Sequence, residues 1–392
     1  MARLARLEVF AFDEVAVVHV MNRVVRRCFL LGDDPISGKN YDHRKLWIED
    51  QLRVQAANFG VDLLGFTILS NHFHLILRSR PDCVEKWADA EVARRWLMLC
   101  PVRRDEQGNA EEPNEMELNS IRNDPDKLKM IRSRLSDISW WMRILCQRIA
   151  MKANHEDGEV GKFFQSRFRA VRLLDEQALV ACAAYVDLNP IRAAMAETLE
   201  TSDFTSVQRR IQALEQTTSP EGSSVDQGAK SASAPAQPSS KAKRTKLKVS
   251  ESAPDRFLSP VSLDERTGKS GSVAHQDGFR CSDKGFLPMS LGDYLILLDW
   301  TARQLSQGKR GRTPNAVKPI LKRLSLDRQA WCELVGTFDK KFYQVAGQPT
   351  IIDSTTSRVS QHRYRIPVET RTMYSDIETR RPKPAASQTA SA

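Results

Sequence analysis

Ser70-Asn71-His72-Phe73-His74-Leu75-Ile76-Leu77 is the stretch on which the fold turns, and the apolar run Leu63-Leu64-Gly65-Phe66-Thr67-Ile68-Leu69 leads into it. A strand sends successive side chains to opposite faces, so His72 and His74 share one face while Phe73 enters the other, buried one. Two imidazoles on one face can hold a divalent ion and leave most of its coordination sphere open to a substrate. The same pair can also be two half-buried strand histidines with no ligand, and the triplet alone does not separate these readings.

Working outward, Val15 to Met21 is a β-branched run that reads as a first strand, with His19 near its end and Asn22-Arg23 just beyond. His43 to Phe59 follows a helical pattern through Leu46, Trp47, Leu52, Val54 and Ala57, stopped by Gly60. Val61 to Leu69 and His72 to Arg78 then form two strands joined by a tight Ser70-Asn71 connection. Strand, helix, strand, strand is half of a split βαββαβ sandwich. Pro81 to Pro101 starts helically, Asp105 to Glu117 is a polar loop, and Lys127 to Asn154 has the spacing of one long amphipathic helix. Phe163 to Val171 alternates as a strand, with Arg167 and Arg169 on one face. Asp175 caps a helix that carries Tyr185 and Asn189 and runs to Pro190.

Beyond residue 215 the composition changes. Residues 216–280 are expected to be a disordered, basic linker rich in Ser, Pro and Ala, with the cationic run Lys241 to Lys248 inside it. Residues 281–380 regain apolar character, as in Tyr294 to Trp300 and Trp331 to Val335, and read as a small, mainly helical module; residues 381–392 read as a tail. The 392-residue chain carries a formal net charge of +10, which favours a polyanionic partner, most simply nucleic acid. Its seven cysteines are scattered and include no CxxC, against a disulfide framework or a cysteine zinc site. Neither a secretory signal nor an apolar stretch of about 18 residues is evident, so a cytoplasmic protein with no membrane partner is expected.

Tyr185 and Asn189 are four positions apart on the expected helix and emerge on one face. A phenol can serve as a nucleophile, and a carboxamide oxygen one turn on can complete the coordination of an ion held by histidines. Taken singly, each is equally an ordinary helix residue. Together, His19-Val-Met-Asn-Arg23, Ser70-Asn-His-Phe-His-Leu-Ile-Leu77, Phe164-Gln-Ser-Arg-Phe168 and Tyr185-Val-Asp-Leu-Asn-Pro-Ile-Arg-Ala193 resemble the HUH single-tyrosine transposases, especially the REP-associated tyrosine transposases, over roughly residues 10 to 200.

That resemblance implies an α+β fold with a ferredoxin-like antiparallel sheet, set in a domain of residues 1–215 with a helical insertion at about 84–135. It implies a Mg or Mn ion on His72 and His74 with Asn189 as third ligand, and Tyr185 as the nucleophile. Arg23, Arg167 and Arg169 are candidates for phosphate positioning. The implied activity is the cutting and rejoining of single-stranded DNA through a 5′-phosphotyrosine bond at hairpin or repeat ends, and a homodimer is compatible with it. The long interval between His74 and Tyr185 and the C-terminal residues depart from the family pattern. Two other readings stay open: a catalytically idle nucleic-acid-binding regulator on the same fold, and a metal-dependent nuclease that uses water.

Overall fold

β3 (His72–Ser79) is buried on both faces, and the alternation of its side chains divides the molecule into two layers. The structure, a computed structural model, describes residues 9–11, 13–218, 253–263, 278–305, 313–355 and 364–380. Phe73, Leu75 and Leu77 join Val18 and Val20 of β1 (Val17–Arg23) in one core, whereas Ile76 joins Val171 and Leu173 of β4 (Arg169–Leu173) in the other. β2 (Val61–Ile68) completes the antiparallel part, and β5 (Val345–Ala346) adds parallel to β4, giving a mixed sheet in the order β2-β3-β1-β4-β5.

On the Phe73 side lie α1 (His43–Asn58) and α6 (Ile138–Asp157). The buried stripe of α1 is Ile48, Leu52 and Ala56, spaced four apart as a helix face requires, while Leu46 and Val54 are exposed. Gln55 Nε2 donates to the Trp141 carbonyl and ties the two helices. Between β3 and α6 come α2 (Pro81–Val84), α3 (Asp89–Leu99), α4 (Glu115–Arg122) and α5 (Pro125–Leu135). The single helix expected over 127–154 is two helices. Asp137 starts α6 by accepting from the Ser139 N–H, and an Asp that caps a new helix ends the previous one. The strand expected from Phe163 is also shorter, because regular pairing with β1 begins only at Arg169. Before that, Phe164 makes one isolated bridge to Val24.

On the His72 side lie α7 (Glu176–Asp187), the four-residue α8 (Asn189–Arg192) and α9 (Ser206–Thr218). The helix expected to carry Tyr185 and Asn189 together is broken at Leu188, where ψ is 2°. Pro190 has no N–H to continue the ladder, which accounts for the break. α10 (Leu291–Leu305), α11 (Val317–Arg323), α12 (Arg328–Gly336), α13 (Phe338–Lys341), α14 (Pro349–Ser354) and α15 (Val368–Arg380) follow, and their apolar faces merge with that of α7 in one core.

Residues 253–263, inside the span expected to be linker, are packed rather than disordered. Phe257 and Leu258 are buried and Ser259 N donates to the Leu63 carbonyl. Three apolar residues within seven positions anchor this piece, a signal diluted by the polar sequence around it. The basic run Lys241 to Lys248 and the 381–392 tail lie outside the described residues. Among those described, no helix is long and apolar enough to cross a membrane.

The C-terminal residues are fastened to the sheet by buried charge. Asp62 on β2 accepts from Arg78 Nε at 2.8 Å, from Arg80 Nη1 at 3.1 Å and from Ser282 Oγ at 2.8 Å. Arg78 also donates to the carbonyls of Lys284 and Gly285. Removing the carboxylate leaves the buried Arg78 guanidinium without a counter-charge, whereas Arg80 keeps its pair with Asp82. Asp62→Ala should therefore destabilise the chain by about 3 to 5 kcal/mol in urea denaturation, and a loss below about 1 kcal/mol would contradict this account.

Candidate functional site

The histidines come together because of strand register. Met21 pairs with His74 and Arg23 with His72, so His19, Met21 and Arg23 share a face with His72 and His74. The rings of His72 and His74 are 5.0 Å apart, centroid to centroid. α7 crosses this face and brings the Tyr185 ring to 5.5 Å from His74 and 5.9 Å from His19.

Among the described residues, each of these imidazoles has a hydrogen-bond partner at one nitrogen only. His72 Nδ1 lies 2.6 Å from Asn71 Oδ1, an acceptor, so the proton sits on Nδ1 and Nε2 keeps its lone pair. His74 Nδ1 lies 2.9 Å from His19 Nε2, and His74 Nε2 is buried with no hydrogen-bond partner among the described residues. Asn189, which opens α8, is buried and its Nδ2 likewise has no partner. Orphaned buried polar atoms are uncommon and call for an explanation. The unengaged nitrogens of His72 and His74 suit a divalent ion, whereas the orphaned Asn189 atom is an amide nitrogen, a donor that does not ligate a cation and so does not itself mark Asn189 as a third ligand. Among the described residues no cluster of three or more His, Cys, Asp or Glu is arranged to hold a metal.

The arginines divide. Arg23 stands beside His72, and its buried Nε has no hydrogen-bond partner among the described residues. Arg169 borders the histidines, but its Nη2 donates to the carbonyls of Asp339 and Phe342. Arg167 lies elsewhere. It lines a cavity of about 440 Å³ together with Asn22, Trp140 and Phe164, and Asn22 faces the opposite side of the sheet from Arg23.

Four contributors were not anticipated as site residues. His19 was read as a strand residue and as the start of the His19-Val-Met-Asn-Arg23 motif but given no role, although its two-residue spacing from Met21 already put it on the face of Met21 and Arg23. Arg192 lies with its guanidinium carbon 4.6 Å from the centre of the Tyr185 ring, a cation–π contact. Phe338 and Asp339, at the start of α13, carry no sequence signal of the site at all. The Phe338 ring is 5.7 Å from Tyr185 and 6.1 Å from His19. It leaves Tyr185 only 4% exposed, so the face expected to be open to a DNA strand is covered here. A cleft of about 660 Å³ lined by Phe29, Asn71, His72, Ala193 and Met195 reaches the site at His72.

Burial sets the electrostatics. It holds His72 down at about 4, with the Arg23 charge helping, and His19 at about 3, with Arg169 helping. His74 is pushed well below 6.5 by burial and by its charged and titratable neighbours. All three rings are therefore neutral near pH 7, the state in which imidazole binds metal. Burial, with the nearby Asp339 carboxylate, raises the Tyr185 phenol to about 12, while Arg192 acts in the opposite direction.

No family model matches this chain, and neither does any curated protein sequence. Among solved structures, one described as "Structure of the REP associates tyrosine transposase bound to a REP hairpin" is similar at 12% identity and a TM-score of 0.29, covering 61% of this chain and 100% of that one. The relationship is distant.

The depressed histidines link stability to pH. In the unfolded chain the rings take up protons below about 6.5, whereas the folded protein does not protonate them until about 4 for His72 and about 3 for His19. The unfolded state thus binds more protons between those values, and stability falls as pH drops from 6.5 toward 4. The metal-free protein should lose on the order of 1 to 2 kcal/mol per ring by pH 5. Urea titrations between pH 4.5 and 7.5 measure this, with His72→Gln flattening the slope; an unchanged slope in that variant would show that the ring is not buried and neutral.

Proposed function

We propose that this chain is a metal-dependent tyrosine transposase that cuts and rejoins single-stranded DNA at hairpin-bearing ends. The observation that carries the reading is the convergence of His72, His74 and Tyr185 on one sheet face, with ring separations of 5.0 and 5.5 Å. Strand alternation alone puts the two imidazoles on one face, but Tyr185, more than a hundred residues on, has no such reason to meet them. The sheet order β2-β3-β1-β4, with α1 and α6 on one face, supports a ferredoxin-like assignment for residues 1–215 with its insertion near 84–135. On this reading the C-terminal helices are that unit's cover.

His72 and His74, with Asn189 as third ligand, would hold a Mg or Mn ion, and such an ion would supply Lewis-acid polarisation of the scissile phosphate. Arg23, with its unmet donor beside His72, grips a phosphate oxygen. Tyr185 Oη attacks phosphorus, and its O–P bond forms as the bond to the 3′ oxygen breaks. The phenol gives up one proton and the departing oxygen takes up one. The 5′ end stays on the protein, and attack by a free 3′-hydroxyl reverses the step without an external energy source. Arg192 favours the phenolate by facing the ring.

A strand reaches Tyr185 as Phe338 and Asp339 move aside, and that movement also breaks the Arg169 Nη2 bond to the Asp339 carbonyl. Arg169, which borders the histidines, then turns toward phosphate, while Arg167 on the other face contacts the strand beyond the site. The covered, protonated phenol favours one other reading, a DNA-binding regulator on this fold that no longer cuts.

Incubation with 3′-labelled single-stranded hairpin DNA and Mn or Mg, followed by a denaturing gel, tests the proposal. Label should join the protein, and Tyr185→Phe should lower the adduct by at least about 1,000-fold. Binding without cleavage over a broad hairpin set would favour the regulator, and cleavage without an adduct would favour hydrolysis by water.

A further inference from the structure

His74 is held by a second ring that the proposed chemistry does not yet use. His19 Nε2 and His74 Nδ1 are 2.9 Å apart. Their ring planes differ by 8° and their centroids are 5.1 Å apart. So short a separation between nitrogens, in rings so nearly parallel with centres that far apart, describes two imidazoles meeting edge to edge in one plane. This is a directed hydrogen bond and not a face-to-face stack.

One proton must lie between two neutral rings, and there are two ways to place it. If His19 donates, His74 carries its own proton on Nε2. That atom is buried and faces no acceptor, so this choice incurs the penalty of an unmet buried donor and also blocks the nitrogen from binding metal. If His74 donates from Nδ1, its Nε2 becomes a lone pair. His19 then keeps its proton on Nδ1, and His19 borders a cavity of about 10 Å³, room on the order of one water.

His19 belongs to the fold's rigid centre. It is 5% exposed and sits on the middle strand, paired with Ile76 of β3 and Val171 of β4. Asn71 does for His72 what His19 would do for His74: each ring has a dedicated partner at Nδ1 and none at Nε2. A ring needed only to fill space would not require a nitrogen aimed at its neighbour.

We propose that His19 is a positioning residue: by accepting the Nδ1 proton of His74 it fixes the tautomer and ring plane that present Nε2 as a metal donor. The inference rests on His72 and His74 holding a divalent ion. It adds that the preorganisation of one of them comes from a third histidine on β1. Partners of this kind orient ligands, and their loss typically weakens metal binding about 10- to 100-fold.

The test uses the full chain and Mn²⁺ as the probe, with binding read by calorimetry and by the electron paramagnetic resonance of free Mn²⁺. His19→Leu removes the acceptor. His19→Gln keeps one, because its side-chain oxygen can take the Nδ1 proton. We expect about 10- to 100-fold weaker Mn²⁺ binding in His19→Leu with an unchanged circular dichroism spectrum, and affinity within about 3-fold of wild type in His19→Gln. Histidine-labelled ¹⁵N spectra of the unmodified, metal-free protein should show His74 protonated at Nδ1. This readout holds even if a variant fails to fold. His74 protonated at Nε2, or His19→Leu binding as tightly as wild type, would overturn the proposal. If wild type binds Mn²⁺ no better than a His72→Ala/His74→Ala double variant, the metal reading falls and the positioning role falls with it, an outcome distinct from the failure of His19 alone.

Discussion

A strand buried on both faces has no freedom of register. β3 places Phe73, Leu75 and Leu77 in one core and Ile76 in the other, so a slip of one residue would drive three apolar side chains into the layer meant for histidines. The same constraint fixes where His72 and His74 point. β1 inherits it through seven successive pairs with β3, which is why His19 and Arg23 arrive on the same side. The geometry of the site thus follows from the requirement to fill two cores at once, with no separate device to aim each ring.

On the other side of the site, α7 is held by an unusual anchor. Asp187 at its C-terminal end is fully buried, and its carboxylate accepts from Ser206 Oγ at 2.5 Å, from the Val207 N–H at 3.1 Å and from the Tyr294 hydroxyl at 2.7 Å. Three donors offset much of the cost of burying the group, although burial still raises it above the ordinary carboxylate range. α9 and α10 are thereby tied to the turn that follows Tyr185. The helix that carries the phenol is anchored by the Asp187 contacts, and the ring itself lies between Phe338 and the sheet histidines His19 and His74.

Much of this was legible in the sequence because it depends on periodicity. Alternation in Ser70 to Leu77 gave the strand and its faces, and the β-branched run before Asn22 gave β1. What was not legible depends on contacts between distant segments. The break between α5 and α6 turns on whether Asp137 caps a helix or decorates one, and the apolar spacing passes through it unchanged. The early start expected for β4 failed because alternation in Phe163 to Phe168 reflects side chains packed around a loop. Phe338 could not be found at all, since an aromatic residue following a helix of Trp331 and Leu334 reads as ordinary core. The proposed donor set was readable only as a set, because each residue alone has a plain structural explanation.

The edge pairing of β5 with β4 joins segments made far apart in time. Arg169 and Phe342, which meet beside that edge, are separated by 173 residues. At roughly 5 to 20 residues per second, a ribosome needs on the order of ten to thirty seconds to produce the intervening chain. Every side chain of the proposed chemistry, from His19 to Asn189, has therefore left the ribosome before its cover exists. The nascent protein passes through a stage in which the apolar face of α7 is wet and the phenol uncovered. Synthesis of α13 is thus the event that supplies the cover, and a chain stopped short of residue 338 would lack it.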